Sequence, residues 1–153
     1  MIEQVGDLWE HFGHAGHRVA ISTNGTIKRN GQGVMGRGCA YQASLMFEGI
    51  AKRLGDYLKE HGNAPGYLFV QGAVAGDPAW DRLLILPVKH NWWEKASLEL
   101  VAKSVAFLRQ ESQDFKDWTF HVPRLGCGNG RLSWLNEVRP LMVELADNVV
   151  VHS

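Results

Sequence analysis

The sequence predicts an α/β fold, a three-layer α/β/α sandwich with a mixed central sheet. Two patterns predict it. Short apolar blocks typical of buried strands alternate with longer blocks whose apolar residues recur at helical spacing, and glycine-rich loops join two of the strands to helices. The 153 residues contain no repeat or linker. Since this length suits one domain with one core, we expect residues 1–153 to form a single domain.

The first strand and the first helix lie in the N-terminal third of the chain. Residues 18–23 carry the apolar run of a short buried strand. From 39 to 61 the apolar residues follow the spacing of one helix face, which predicts a single long helix. Gly62 is a typical helix stop and should end it.

The middle of the chain predicts two strands and a second helix. Segments 67–71 and 82–88 are apolar enough for buried strands. The turn-rich segment 72–80 between them is interpreted as a hairpin loop or a lid. The apolar spacing of 97–110 predicts a helix, with Ser97 as its N-cap.

The last third predicts a strand, a short helix and a final strand. Residues 119–122 form the strand, and the apolar residues from Leu135 to Leu145 predict the helix. Pro140 should kink or restart this helix because it cannot donate a backbone hydrogen bond. The apolar run 148–152 suits a strand covered on both faces.

Composition limits the kinds of partner. The chain has 16 basic and 16 acidic side chains and a formal net charge of zero, which argues against bulk non-specific nucleic-acid binding. No apolar run is long enough to span a membrane, and the first residues do not resemble a signal peptide. Cys39 and Cys127 have no metal-ligand spacing around them, so we expect reduced thiols in a cytoplasmic protein. A monomer is the expected oligomeric state.

Two glycine-rich loops predict the ligand class. GQGVMGRG at 31–38 and RLGCGNGRLSW at 124–134 each follow a strand-like block and lead into a helix. Glycine allows the backbone to approach a ligand closely, and a helix N-terminus favours negative charge. Because ligands of such folds lie beyond the carboxyl ends of the strands, two loops of this kind predict a diphosphate site there.

Four segments in a fixed order resemble the macrodomain family, the ADP-ribose-binding fold. They are GDL at 6–8, VAISTN at 19–24, GVMGRGCAYQ at 33–42 and PRLGCGNGRLSW at 123–134. The resemblance runs from about residue 5 to the C-terminus and implies a single macrodomain that takes ADP-ribose as its ligand and needs no cofactor.

The resemblance also implies binding roles for individual residues. Asp7 and Leu8 would bind the adenine. Without the resemblance, Asp7 would be interpreted as an exposed turn residue or a helix cap just before Leu8. The remaining ADP-ribose-binding residues implied are Gly33, Val34, Met35, Gly36 and Gly38 in the first loop and Leu125, Gly126, Cys127, Gly128, Asn129, Gly130 and Arg131 in the second. Arg37 would contact phosphate or only solvent.

Lys89 is the main catalytic candidate. PVKHNWW at 87–93, followed by Ser97, is similar to the lysine-containing segment of two enzyme groups, the DNA ADP-ribosyl-glycohydrolase antitoxins and the terminal ADP-ribose glycohydrolases. In both groups the lysine is implied to act at the anomeric carbon of the distal ribose. The second group also uses an aspartate at the position of Gly130, so this chain resembles the antitoxin type more. From spacing alone, a lysine at a strand end is usually an ordinary surface residue.

Asn24 is the second catalytic candidate, and the loop after it departs from the family pattern. Asn24 ends a buried strand and would bind a ribose hydroxyl or a water, or would mark only a turn with Gly25. Segment 25–32, which contains Lys28 and Arg29, is longer than the antitoxin loop. It should lie over the distal ribose or the leaving side of the substrate.

Two further groups receive structural interpretations. Histidines 11, 14 and 17 alternate with glycines and lack a set of partner ligands, so we expect no metal site there. Trp92 is expected to pack under the loop rather than to shelve a substrate.

Three functions remain open from the sequence. The first is an ADP-ribosyl glycohydrolase that acts on modified nucleic acid, with possible contact to DNA, or on modified protein, with Lys89 as nucleophile. The second is an ADP-ribose 1″-phosphate phosphatase in which Asn24 positions water. The third is a reader or sequestering module without catalysis. Macrodomains of this type also occur in phage and mobile-element genomes, where targets vary.

Overall fold

A six-stranded mixed sheet forms the centre of the molecule. The computed structural model describes residues 1–71 and 80–153. The strands are β1 (Ile2–Gln4), β2 (His17–Asn24), β3 (Gly66–Gln71), β4 (Trp80–Lys89), β5 (Thr119–Pro123) and β6 (Val149–His152). Their order is β1-β6-β5-β2-β4-β3; all neighbours are parallel except β3, which is antiparallel to β4. The predicted turn-rich segment 72–80 lies, apart from the first residue of β4, outside the described residues.

Helices cover both faces of the sheet. They are α1 (Gly38–Met46), α2 (Ile50–His61), α3 (Leu98–Asp114) and α4 (Arg139–Met142). Leu84 and Leu86 of β4 pack on one face against α3 and α4, while Leu83 and Ile85 pack on the other against α1, α2 and the N-terminal segment. This alternation follows from the two-residue period of a strand. The three-layer α/β/α sandwich is therefore the observed architecture.

The helix predicted from 39 to 61 is wrong as a single element. The chain leaves helical geometry at Phe47, whose backbone is extended, and α2 begins after Gly49 in a left-handed conformation with φ 77°. Apolar residues on both sides of the break contact the same core, so their spacing alone did not reveal it. The predicted ends are confirmed elsewhere: Gly62 ends α2, and the Ser97 hydroxyl accepts the Leu100 N–H at 3.3 Å.

The helix predicted around Pro140 is confirmed as a restart. A π-helical turn (Trp134–Val138) precedes α4, and Pro140 lies in the first turn of α4, where its missing N–H costs nothing. Leu135, the first of the apolar residues that predict this helix, is 72% exposed and does not belong to the core. The wider π turn rotates the following residues relative to an ideal α-helix.

Strand β1 was not predicted from the sequence. Its three residues are exposed, and it is held by its pairing with β6 and by Glu3. The Glu3 carboxylate accepts from the Trp134 indole N–H at 2.8 Å and from Arg139 Nε at 3.0 Å. Among the described residues, none of the helices has the length and hydropathy needed to cross a bilayer.

Candidate ligand-binding cavity

A cavity of about 560 Å³ opens where β2, β4 and β5 end. Asn24, Lys89 and Pro123, the last residues of these strands, all line it. Its wall also contains residues of both glycine-rich loops and of the first turn of α1. A cavity of this volume at the carboxyl ends of parallel strands is typical of a nucleotide-sized ligand site.

The first glycine loop leads into α1 at the cavity wall. Gly38, Cys39 and Ala40 open the helix and line the cavity. The first intrahelical hydrogen bond after them runs from the Tyr41 N–H to the Arg37 carbonyl at 3.2 Å. The N–H groups of a first helical turn have no helical acceptor of their own, and such groups suit an anionic ligand.

The second glycine loop is tightly folded on itself. Gly126 has φ 72°, and its carbonyl accepts the Leu132 N–H at 3.0 Å. A Cβ at Gly130 would lie 2.3 Å from the Gly126 carbonyl oxygen, whereas a Cβ at Gly128 would meet no atom within 4 Å. The loop therefore presents bare backbone to the cavity at Gly128, and it depends on the absence of a side chain at Gly130 for its shape.

The two glycine loops approach each other closely. A Cβ at Gly38, which has φ 60°, would lie 3.7 Å from the Asn129 Nδ2 atom. Both residues line the cavity together with Gly36, Val34, Gly126 and Gly128. The structure thus brings the two predicted loops to one site.

Lys89 lies at the same wall, directly beside Asn24. The two residues are register partners across β2 and β4, next to an irregularity in the pairing. The Lys89 ammonium donates to the Trp92 carbonyl at 3.2 Å. Partial burial, followed by the positive charges of Arg131 and Arg37, lowers the pKa of Lys89 from its usual value.

Asn24 holds the loop that follows it. Its amide Nδ2 donates to the Val34 carbonyl at 3.2 Å, and its Oδ1 accepts the Thr26 N–H at 3.1 Å. The side chain thus bridges both ends of the loop 25–32, the segment that is longer than in the antitoxins, while it lines the cavity. We refer to this segment as the extended loop. The turn role weighed for Asn24 is present in the structure.

Three predicted site residues are located in the hydrophobic core. Leu8 and Met35 pack in the cluster under α1 and α2, and Leu125 packs in the cluster under α3. Gly33 also lies away from the cavity wall, because it packs against Leu54 at a distance that leaves no room for a Cβ. The contacts of these four residues with ADP-ribose stay predictions.

Three other predicted residues lie outside the cavity wall. The Asp7 carboxylate accepts the Trp9 N–H at 3.0 Å, the turn-cap arrangement that the sequence left open. Arg131 is exposed and has φ 63°. Burial raises the pKa of the Cys127 thiol to about 11, and its sulfur contacts the Leu125 carbonyl at 3.3 Å. A neutral thiol of this kind is a poor nucleophile.

Several wall residues were missed or misjudged from the sequence. Arg124 lines the cavity directly after β5, a position that could have signalled it. Arg37, for which contact with phosphate and with solvent were both open, also lines the wall. Trp92 was expected to pack under the loop, but it lines the cavity and is half-exposed. Its ring meets Trp93 edge-on, with centroids 5.8 Å apart.

The N-terminal histidines join a chain of imidazoles away from the cavity wall. His17 Nδ1 lies 2.8 Å from His121 Nε2, and His121 Nδ1 lies 2.8 Å from His152 Nε2. His11 stacks on His17 with ring centroids 4.7 Å apart. The part of the chain that the structure describes holds no group of three side chains arranged to bind a metal.

Sequence comparison finds no matching family model and no matching curated protein. Solved structures do match. The macrodomain of Mycobacterium tuberculosis DarG has a TM-score of 0.74 at 19% identity, over 99% of this chain and 95% of that one. The macrodomain of Thermus aquaticus DarG has a TM-score of 0.70 at 23% identity, over 99% and 95%.

Thermosipho africanus DarTG in complex with ADP-ribose also matches, with a TM-score of 0.74 at 20% identity. The match covers 96% of this chain and 39% of that longer one. The order of strands, the helices on both faces and these matches lead to one conclusion: the chain has the macrodomain fold.

Proposed function

We propose that this chain binds ADP-ribose in the cavity and hydrolyses an ADP-ribosyl linkage, with Lys89 as the nucleophile. The observation that carries the proposal is the position of Lys89. Its amine lies at the wall of a nucleotide-sized cavity, and its pKa is lowered by burial and by Arg131 and Arg37. A structural neighbour described in complex with ADP-ribose supports the choice of ligand.

The two glycine loops suit the diphosphate of ADP-ribose. The first turn of α1 offers backbone N–H groups at Gly38, Cys39 and Ala40, and the second loop offers open backbone at Gly128. Backbone donors at a helix N-terminus and in a glycine loop bind phosphate without a long side chain to order. Binding the whole ligand body would then hold its distal ribose against Lys89.

The chemical step needs a neutral amine at Lys89. The amine attacks the anomeric carbon of the distal ribose, so that a bond from Nζ to this carbon forms while the bond to the target group breaks. The released group takes up a proton. The ribose opens to a Schiff base, and water then hydrolyses the C=N bond, which frees ADP-ribose and restores Lys89.

The geometry of Asn24 favours this mechanism over a phosphatase that relies on Asn24. Both polar atoms of the Asn24 amide already have partners, the Val34 carbonyl and the Thr26 N–H. An amide that holds a loop in this way is less available to orient a water molecule. Lys89 has only the Trp92 carbonyl as a partner among the described residues, and an amine keeps further capacity for contact.

The test compares variants on separate substrates. ADP-ribosylated DNA, ADP-ribosylated protein and ADP-ribose 1″-phosphate are each offered to the wild type, to Lys89→Ala and to Lys95→Ala. Lys95 is a matched control because it is an exposed lysine in the same segment and does not line the cavity. We expect Lys89→Ala to lose turnover and to keep ADP-ribose binding by calorimetry. Equal turnover in Lys89→Ala and wild type would refute the mechanism, and binding without turnover in the wild type would indicate a reader.

A pH profile gives an independent readout of the same residue. Because only the neutral amine attacks, kcat/KM should rise with pH, and the inflection should lie below the pKa of an ordinary lysine. Arg131→Asn removes one neighbouring charge and suits the positive φ at this position. We expect the inflection to move to higher pH in this variant. An unchanged inflection would show that Lys89 is not the titrating group.

A further inference from the structure

The cavity wall carries a concentration of positive charge. Four cationic side chains line it, those of Lys28, Arg37, Lys89 and Arg124, and within residues 1–71 and 80–153 no aspartate or glutamate does so. The whole chain has equal numbers of acidic and basic residues, so this local excess is a property of the site. The two negative charges of the ADP-ribose diphosphate can balance part of this excess, but at least one of the four cations then has no counter-charge from the described wall residues.

Lys28 reaches the wall from the extended loop after β2. This loop is a small hairpin, in which Ile27 bridges Gly33 and the Lys28 N–H donates to the Gln32 carbonyl at 2.8 Å. The hairpin packs backbone to backbone on α2, because a Cβ at Gly55 would lie only 1.8 Å from the Gly31 carbonyl oxygen. Lys28 is thus carried by a docked element that fixes its main chain.

The same hairpin is joined to the segment that follows Lys89. The Thr26 hydroxyl donates to Asn91 Oδ1 and accepts the Trp92 N–H, both at 3.2 Å. The Gly25 N–H donates to the Lys89 carbonyl, also at 3.2 Å. Lys28 and Lys89, which both line the cavity, are therefore carried by two segments that are hydrogen-bonded to each other.

Lys28 has no carboxylate partner among the described residues. The next residue, Arg29, carries the same charge and is also exposed, but it does not line the cavity. The hairpin thus directs one of two neighbouring cations to the site. A long cationic side chain at a cavity wall, without an internal partner, is suited to bind an anionic group of a ligand.

We propose that Lys28 is a specificity-determining residue that binds a phosphate on the leaving side of the ADP-ribosyl bond, so that preferred substrates carry a phosphate on the group that is released. The inference rests on the proposed function, since Lys89 at the anomeric carbon defines which side is the leaving side. Two sources supply the required chemistry. One is ADP-ribose 1″-phosphate, in which phosphate is itself the leaving group, and the other is an ADP-ribosylated nucleotide within a strand.

The activity test uses matched substrates with and without the phosphate. An ADP-ribosylated oligonucleotide is compared with the corresponding ADP-ribosylated nucleoside, which has the same leaving base and no phosphate on it. ADP-ribose 1″-phosphate forms a third arm, and an ADP-ribosylated protein forms a fourth. The enzymes are the wild type, Lys28→Ala and the control Arg29→Ala.

We expect Lys28→Ala to lower kcat/KM about 10-fold, mainly through KM, on the oligonucleotide or on ADP-ribose 1″-phosphate. The value of kcat/KM on the ADP-ribosylated nucleoside should not change. Arg29→Ala should behave as the wild type on every arm. The arm that responds to Lys28→Ala identifies the source of the phosphate. An equal loss with and without the phosphate, or a loss on the protein arm alone, would overturn the inference.

A binding measurement separates this inference from the proposed hydrolysis. In the Lys89→Ala background, calorimetry compares ADP-ribose with ADP-ribose 1″-phosphate, each with and without the further change Lys28→Ala. A selective loss of about 10-fold in affinity for the 1″-phosphate would support the role of Lys28 even if the wild type shows no turnover. If Lys28→Ala affects neither ligand and neither phosphate-bearing substrate, Lys28 does not read a phosphate.

Discussion

Gly128 and Gly130 lie two residues apart in one loop, yet their surroundings differ. Gly130 is buried and faces the Gly126 carbonyl and the Ala96 side chain, at Cβ distances of 2.3 Å and 2.8 Å. Gly128 is exposed, and a Cβ there would meet no atom within 4 Å. The absence of a side chain at Gly130 therefore allows the loop to fold tightly, whereas the absence of one at Gly128 leaves space for a ligand.

This difference predicts opposite effects of substitution. Gly130→Ala should lower the free energy of unfolding by about 1–3 kcal/mol, because the added methyl group overlaps the Gly126 carbonyl oxygen. Gly128→Glu should leave the unfolding free energy within about 0.5 kcal/mol of the wild type and abolish ADP-ribose binding through bulk and negative charge. Urea unfolding and calorimetry measure the two quantities. A destabilised Gly128→Glu that still binds ADP-ribose would contradict the assignment of these roles.

At the level of elements, helix α2 serves as the platform for the extended hairpin. A glycine inside a helix is unfavourable by itself and needs a packing reason. The reason at Gly55 is the Gly31 carbonyl, which approaches closer than any side chain would permit. The break at Gly49 separates α1, whose first turn lines the cavity, from α2, whose surface carries the hairpin.

Gly55→Ala is expected to push the hairpin away from α2. Although alanine favours the helix, the overlap with the Gly31 backbone should outweigh this gain and cost about 1–3 kcal/mol of unfolding free energy. Gly62→Ala is the control variant at the end of the same helix. A Cβ at Gly62 would meet no atom within 4 Å, so the only strain there comes from the backbone angle φ of 76°. Hydrogen exchange should speed up at 27–33 in Gly55→Ala and stay unchanged there in Gly62→Ala. Unchanged exchange at 27–33 in Gly55→Ala would show that the contact does not hold the hairpin.

At the level of the whole molecule, the imidazole chain links segments that are distant in sequence. His17 at the start of β2, the buried His121 in β5 and the buried His152 at the end of β6 form consecutive hydrogen bonds. Burial, followed by the charge of neighbouring histidines, lowers the pKa of His121 from 6.5 to about 4. Burial also lowers the pKa values of His17 and His152, although Asp7 and Glu10 oppose the shift at His152.

These shifts predict a molecule that is destabilised by acid. A histidine whose folded-state pKa lies below its unfolded value stabilises the fold above pH about 6.5, and this contribution is lost as the pH falls towards 4. We expect the unfolding free energy to fall by on the order of 2 kcal/mol over this window from His121 alone. Urea unfolding at several pH values measures the slope.

Two variants test the source of this slope. His121→Gln keeps hydrogen-bonding groups but does not titrate, so its stability should depend less on pH than that of the wild type. His61→Gln changes an exposed histidine of α2 and should keep the wild-type slope. Parallel slopes in the wild type and His121→Gln would mean that the imidazole chain is not responsible.

The sequence by itself determined the fold class and the loops of the candidate site. Apolar periodicity marked the buried strands and α3 because their residues face a core on fixed sides, and local cues placed the ends at Gly62 and Ser97. Both glycine loops were recognisable because closely spaced glycines indicate a backbone conformation or a close approach that other residues do not permit. Strand β1 was not predictable from local sequence, because it depends on pairing with β6. The break at Gly49 was not predictable either, because the helices on both sides of it share one core.

Only the tertiary structure decided which polar groups meet. Lys89, Asn24 and Lys28 come together because parallel β2 and β4 end side by side and the hairpin docks on α2, contacts between residues that are remote along the chain. Local sequence carries no information on such distances, so it could not place Arg124 and Trp92 at the cavity or Leu8 in the core. It also could not show that histidines 11 and 17 continue into His121 and His152. The sequence determined the local backbone preferences. The concentration of positive charge at the cavity and the lowered pKa of Lys89 arise only when packing brings distant residues together.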